Sequence, residues 1–128
     1  MFGGYNIHTQ TLFLDYDPAA DDDIPVFVAP KACEIVGVKA TTTNDVAAST
    51  ANYFNLALYN GGTAGTALTP VAGTVGGTIG WSALVPVSFT VSNGTLASGE
   101  VLKVRYNEEG TGTFGSMLLS IDYVLGVA

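Results

Sequence analysis

Three glycines near the end of the chain, Gly110, Gly112 and Gly115 in GTGTFG, stand at the G-x-G-x-x-G spacing of dinucleotide-binding loops. That spacing does chemistry only in context. The pyrophosphate rests on the N-terminal N–H groups of a helix directly behind the loop, and an acidic residue about 20 positions further on holds the ribose. Here the segment after Gly115, SMLLSIDYV, has the period of a strand, and no acid lies at that distance before Ala128. The sequence therefore predicts that NEEGTGTFG is the tip of a hairpin between two antiparallel strands, its glycines taking up positive φ.

The other residues that carry chemistry lack the company they need. His8 is the single histidine, so a His-based triad would have to be built around it, and no Gly-x-Ser-x-Gly elbow accompanies it; a structural or surface histidine is the plainer reading. Asp15, Asp17, Asp21, Asp22 and Asp23 supply the oxygen ligands that calcium prefers. Their spacing is not that of an EF-hand loop, and Pro18 with two alanines interrupts it; a solvated acidic linker is the plainer reading. Cys33 is alone in an apolar run, ACEIVGV, where a buried, inert thiol is expected. Lys103 and Arg105, two apart on one predicted strand, are placed to pair with acids on a neighbouring strand or chain. Trp81, Tyr53, Tyr59 and Tyr106 are the types that build a sugar-stacking platform, and equally those of core edges and protein interfaces. No catalytic residue, metal site or cofactor site is assigned, and the chain is read as no enzyme.

The elements that must position these residues read as strands. IHTQTLFL (7–14) is a short strand, DYDPAADDDIP (15–25) a polar linker bracketed by prolines, and IPVFVA (24–29) a second strand. In ACEIVGVKATTT (32–43) strict alternation puts Cys33, Ile35, Gly37 and Lys39 on one face, and Glu34, Val36, Val38 and Ala40 on the other. YFNLALY (53–59) turns Phe54, Leu56 and Leu58 to one side. Residues 60–80, dominated by Gly, Thr and Ala, have no helical period; their lack of charge predicts partial burial. LVPVSFTV (84–91) alternates Val85, Val87, Phe89 and Val91 against Pro86, Ser88 and Thr90. Turns follow at Asn93-Gly94 and at SGE, 98–100. EVLKVRY turns Leu102, Val104 and Tyr106 inward, and SMLLSIDYV does the same with Met117, Leu119, Ile121 and Tyr123. Short alternating strands with Gly, Asn and Pro at their joints describe an all-β sandwich or barrel.

Composition narrows the class of partner. Charged residues make up 12% of the 128 residues, half the usual share of about 25%, so the surface is expected either to be covered in part in the working state or to be carried by Thr, Ser and Asn, or both. Eleven acids against four bases give a net charge of -7, a sign that repels nucleic acid and anionic membranes. MFGGYNIHTQTLF lacks the basic start and unbroken apolar stretch of a signal peptide, and synthesis in a cytoplasm is expected. Phe2, Tyr5, Leu12 and Phe13 make this N-terminal segment apolar enough to be anchored by a partner.

The uncharged Thr/Gly/Ala-rich middle, followed by LVPVSFTVSNGTLASGEVLKVRYNEEGTGTFGSMLLSIDYVLG, resembles the capsid decoration (cement) proteins of tailed bacteriophages. The likeness spans roughly residues 32–125. It implies an antiparallel β-sandwich of jelly-roll type with an extended N-terminal arm: an arm and acidic linker over 1–25, and one sandwich domain over 26–128. It also implies a homotrimer bound to the major capsid protein on the outer surface of the virion, made in the host cytoplasm and stabilising the head without enzymatic activity. The reading set against it is a glycan- or receptor-binding β-sandwich module of a phage fibre or cell-surface protein, which requires Trp81 and two or more tyrosines on one exposed face.

Overall fold

The structure is a computed structural model, and it describes residues 6–15, 22–49, 51–60, 66–67, 80–110 and 115–126. Among these residues there is no helix; nine strands form two antiparallel sheets. The strands are β1 (Ile7–Leu14), β2 (Asp22–Val28), β3 (Cys33–Thr42), β4 (Tyr53–Asn60), β5 (Thr66–Ala67), β6 (Val87–Phe89), β7 (Thr95–Leu96), β8 (Val101–Glu109) and β9 (Met117–Leu125). One sheet runs β1-β9-β3-β6 with β7 also on β3, and the other runs β2-β8-β4-β5.

The pairs nest: β1 with β9, β2 with β8, β3 with β6 and β7, and β4 with β5. These are the pairs of one long antiparallel hairpin rolled up so that successive pairs fall on alternate sheets. This is the jelly-roll arrangement of the β-sandwich. Rolling is favourable because each strand has one apolar face, and a single flat hairpin would leave all of those faces in water.

The core lies between the sheets. Leu102, Val104 and Tyr106 of β8 face Met117, Leu119 and Ile121 of β9, and all six are at most 1% exposed. Phe54 stacks on Tyr106 with ring centroids 5.7 Å apart, and meets Trp81 edge-on at 6.0 Å. Trp81 is held there by paired backbone hydrogen bonds with Val46, Trp81 N–H to Val46 O at 2.9 Å and the reverse at 2.8 Å.

Four expectations change. First, strict alternation fails in β3, where a bulge between Ile35 and Gly37 sets Val36 outside the ladder to β9. The extra residue shifts the phase, so Cys33 and Ile35 are buried together with Val38, Ala40 and Thr42. Lys39 is turned outward. Second, the acidic linker is shorter than expected. Asp22 and Asp23 already belong to β2, and of the stretch read as arm and linker Ile7–Leu14 pairs with β9 over its whole length. Pro25, which has no N–H to give, sits on the edge strand β2 beside the bulge between Pro25 and Phe27.

Third, the glycine-rich segment after β8 is no hairpin tip. β8 pairs with β2 and β4, whereas β9 pairs with β1 and β3, so 110–116 carries the chain from one sheet to the other. Residues 111–114, Gly112 among them, lie outside the described residues. Gly110 and Gly115 do take positive φ, 62° and 71°. Fourth, the strand expected over 84–91 contracts to Val87–Phe89. Before it Ser82–Val85 closes a turn, with Val85 N–H donating to Ser82 O at 3.3 Å and Leu84 at φ 63°.

The turn at Asn93-Gly94 is as expected, with Asn93 at φ 54°. Gly94 is there for a second reason: Ile35 N–H donates to its carbonyl at 2.8 Å, and a Cβ on Gly94 would run into the Ile35 carbonyl oxygen. The expected stretch 60–80 lies largely outside the described residues; beyond Asn60 and Gly80 its described part is β5, which pairs Thr66 with Asn60 and Ala67 with Tyr59.

Candidate interaction surface

The outer face of the β2-β8-β4 sheet carries the charged cluster. Alternation turns Lys103 and Arg105 of β8 away from the core, and the register sets Asp23 of β2 opposite Arg105 and Tyr59 of β4 opposite Lys103. Asp23 accepts from Lys103 Nζ at 3.0 Å, from Arg105 Nε at 2.8 Å and from the second guanidinium nitrogen at 3.3 Å. The guanidinium carbon of Arg105 stands 4.4 Å from the centre of the Tyr59 ring, a cation–π contact. The Arg105 and Lys103 hydrogen bonds hold the Asp23 carboxyl at about 2, down from 3.8. The same hydrogen bond raises the Arg105 pKa further. The expected pairing of Lys103 and Arg105 with a neighbouring strand's acid is thus met by Asp23. One carboxylate holding two cations completes a structural clamp between β2 and β8.

The remaining candidates for chemistry are dispersed. His8 lies on the exposed edge strand β1 and stacks on Tyr123, centroids 5.4 Å apart. Cys33 is fully buried, and burial pushes its thiol up. Asp15 and Asp22 are exposed; Asp17 and Asp21 lie outside the described residues. Among the described residues no three His, Cys, Asp or Glu side chains converge on a point that could hold a metal ion. The sugar-stacking platform is not formed: Trp81 is 4% exposed and Tyr106 fully buried, both in the core with Phe54, while Tyr53 and Tyr59 lie on the opposite, outer face of β4. Period-two alternation separates Tyr53 and Tyr59 from Phe54, and Trp81 follows a chain segment whose path is not readable from periodicity.

Exposed apolar side chains lie elsewhere, Ile7, Val28 and Val36 apart from one another and a group of four at one end of the β1-β9-β3 sheet. Phe13 and Leu118 are directly opposite one another on β1 and β9, and 50% and 41% exposed; Leu118 is opposite Thr41 on β3. One residue further, the Thr42 carbonyl accepts from Leu84 N–H at 2.9 Å. Leu84 and its neighbour Val85 are 74% and 53% exposed. Four large apolar side chains are therefore presented at one end of this sheet. Of the N-terminal residues expected to contact a partner, Phe13 belongs to this patch, while Leu12 points the other way and packs against the core. Phe2 and Tyr5 lie outside the described residues. Leu84 and Leu118 were not singled out in the sequence; the exposure of Leu118 has a trace in MLLS, where one of two adjacent leucines in a strand must face outward.

A groove of about 440 Å³ opens between the edge strands of the two sheets, lined by Gln10, Pro25, Phe27, Val28, Pro30 and Tyr123 among others. Phe27 and Tyr123 meet there with ring centroids 4.8 Å apart.

No family model matches the sequence, and no curated protein matches it. Among solved structures the fold is similar to a chain of the cyanophage Pam1 capsid asymmetric unit, with a TM-score of 0.51 and 20% identity over 98% of this chain and 89% of that one. The chain thus has an antiparallel β-sandwich fold that also occurs in a phage capsid.

Proposed function

We propose that this protein is a structural component of a tailed-phage virion: a capsid decoration protein, assembled as a homotrimer, that binds the major capsid protein lattice on the outer surface of the head and has no catalytic role. The observation that carries the reading is the likeness to a chain of the Pam1 capsid asymmetric unit over almost the whole length of both chains. The chemistry of the surface supports it. Charged residues are few, and the exposed patch of Phe13, Leu84, Val85 and Leu118 suits an interface held by apolar contact and shape, with little dependence on salt.

The direct test is reconstitution. Heads assembled without this protein are mixed with the purified chain, separated from free protein by sedimentation, and heated. Saturable binding at a fixed ratio to the major capsid protein, and a higher temperature of head disruption, are expected. Absence of the chain from purified virions of its phage, or unsaturable binding, refutes the reading.

A further inference from the structure

We infer that the free edge of β1 pairs antiparallel with the β1 edge of a second copy of this chain, centred on Gln10. This is independent of whether the protein decorates a head.

An open strand edge is a row of unpaired N–H and C=O groups, and folded proteins blunt such edges with proline, charge, bulges or shortness. Among the described residues, three of the four edges are blunted. β2 has Pro25, a bulge, and Asp22 and Asp23; β5, β6 and β7 are two or three residues long. β1 is different: IHTQTLFL is eight residues without proline, bulge or formal charge, and its register with β9 is unbroken. Among the described residues no strand takes its other edge.

The side chains select the partner. With Gln10 opposite Gln10 of the second copy, Ile7 falls opposite Phe13, His8 opposite Leu12 and Thr9 opposite Thr11, each pair occurring twice. Residues of like parity meet, so outer faces match outer faces and groove faces match groove faces. Ile7 is 66% and Phe13 50% exposed, and this register places each against the other. Since Phe13 is already opposite Leu118 and Ile7 opposite Val124, an apolar row Leu118–Phe13–Ile7–Val124 runs across both copies. On the groove side the row is Leu119–Leu12–His8–Tyr123. The chain is acidic overall, with a net charge of -7, yet the strand that meets its own copy carries no charge to repel it. Such a two-fold contact closes on itself, so it is separate from any three-fold contact the chain makes.

Gln10 is exposed, so its charged variants keep the fold, which unchanged circular dichroism and melting midpoint verify. By light scattering, wild type has at least twice the mass of Gln10→Lys or of Gln10→Glu alone, and mixing those two variants restores the larger mass. Under mild oxidation Gln10→Cys forms a reducible covalent dimer; Thr9→Cys forms one only when mixed with Thr11→Cys. A wild-type mass equal to that of the charged variants overturns the pairing. So does a loss of mass that mixing does not restore, or the absence of the Gln10→Cys dimer, either of which assigns the edge to a different register or to a strand of another protein.

Discussion

Asp23 and Arg105 stand directly opposite one another in the β2–β8 ladder, and the carboxylate grips the guanidinium through two of its nitrogens, at 2.8 and 3.3 Å. Lys103 adds a third hydrogen bond to the same carboxylate. The clamp ties an edge strand, interrupted by a proline and a bulge, to the centre of its sheet. Because its members are partly exposed, solvent screening keeps its contribution small.

Its pH dependence has a definite sign. Asp23 titrates at about 2 in the folded chain and ordinarily at 3.8. Its stabilisation is therefore complete above pH 4, declines as pH falls below 3.8, and is gone below about 2. Asp23→Asn is expected to lower the melting midpoint at pH 7 by about 1–3 °C. The gap between variant and wild type should close as the scans are moved from pH 5 to pH 2. An equal gap at both ends would show that the loss comes from packing and not from the ion pairs.

Gly94 and Gly99 should respond differently to alanine. A Cβ at Gly94 meets the Ile35 carbonyl and approaches Val91 Cγ1 at 3.1 Å, in a place where the β3 backbone cannot yield without losing its own hydrogen bonds. Gly94→Ala is expected to cost about 3 kcal/mol in denaturant unfolding. Gly99 has φ 86° but nothing within 4 Å of an added Cβ, leaving only the left-handed backbone penalty of about 1 kcal/mol.

Thr42 is fully buried in the last position of β3, and among the described residues its hydroxyl oxygen has no hydrogen-bond partner. An unsatisfied buried hydroxyl keeps its desolvation cost. Thr42→Val keeps the shape and removes that cost, so a gain of about 1 kcal/mol is expected by urea titration.

Leu84 separates stability from binding. It occupies the third position of the Ser82–Val85 turn at φ 63°, where glycine is the favoured residue. Leu84→Gly is expected to raise the stability of the isolated chain by about 0.5–1 kcal/mol. If the apolar patch is the head-binding surface, the same variant binds reconstituted heads at least fivefold more weakly. A variant that is more stable and binds as tightly as wild type would move the interface elsewhere.

The strand faces show where sequence reading succeeds. In β8 and β9 the alternation of Leu102, Val104 and Tyr106, and of Met117, Leu119 and Ile121, names the core directly, since period two is a property of the strand itself. In β3 it does not, because the bulge at Val36 is set by the ladder to Asp122 and Tyr123, more than 80 positions away. Of the candidate surface, Phe13 stands out in the sequence only as one of four apolar residues of the N-terminal segment, together with Leu12, which packs against the core. Leu84 does not stand out: its neighbours Val85 and Val87 continue an apolar alternation that the turn at Ser82–Val85 cuts short.

The sequence alone determined that this chain is all-β, which residues of its regular strands are apolar on one side, and that its glycine fingerprint has no helix to serve. These follow from local stereochemistry and solvation. Only the tertiary structure decided that the glycine-rich segment crosses between sheets, that Asp23 clamps Lys103 and Arg105, and that Trp81 is core. Each of these depends on which strand lies beside which, and in a rolled hairpin the neighbours of a strand come from opposite ends of the chain.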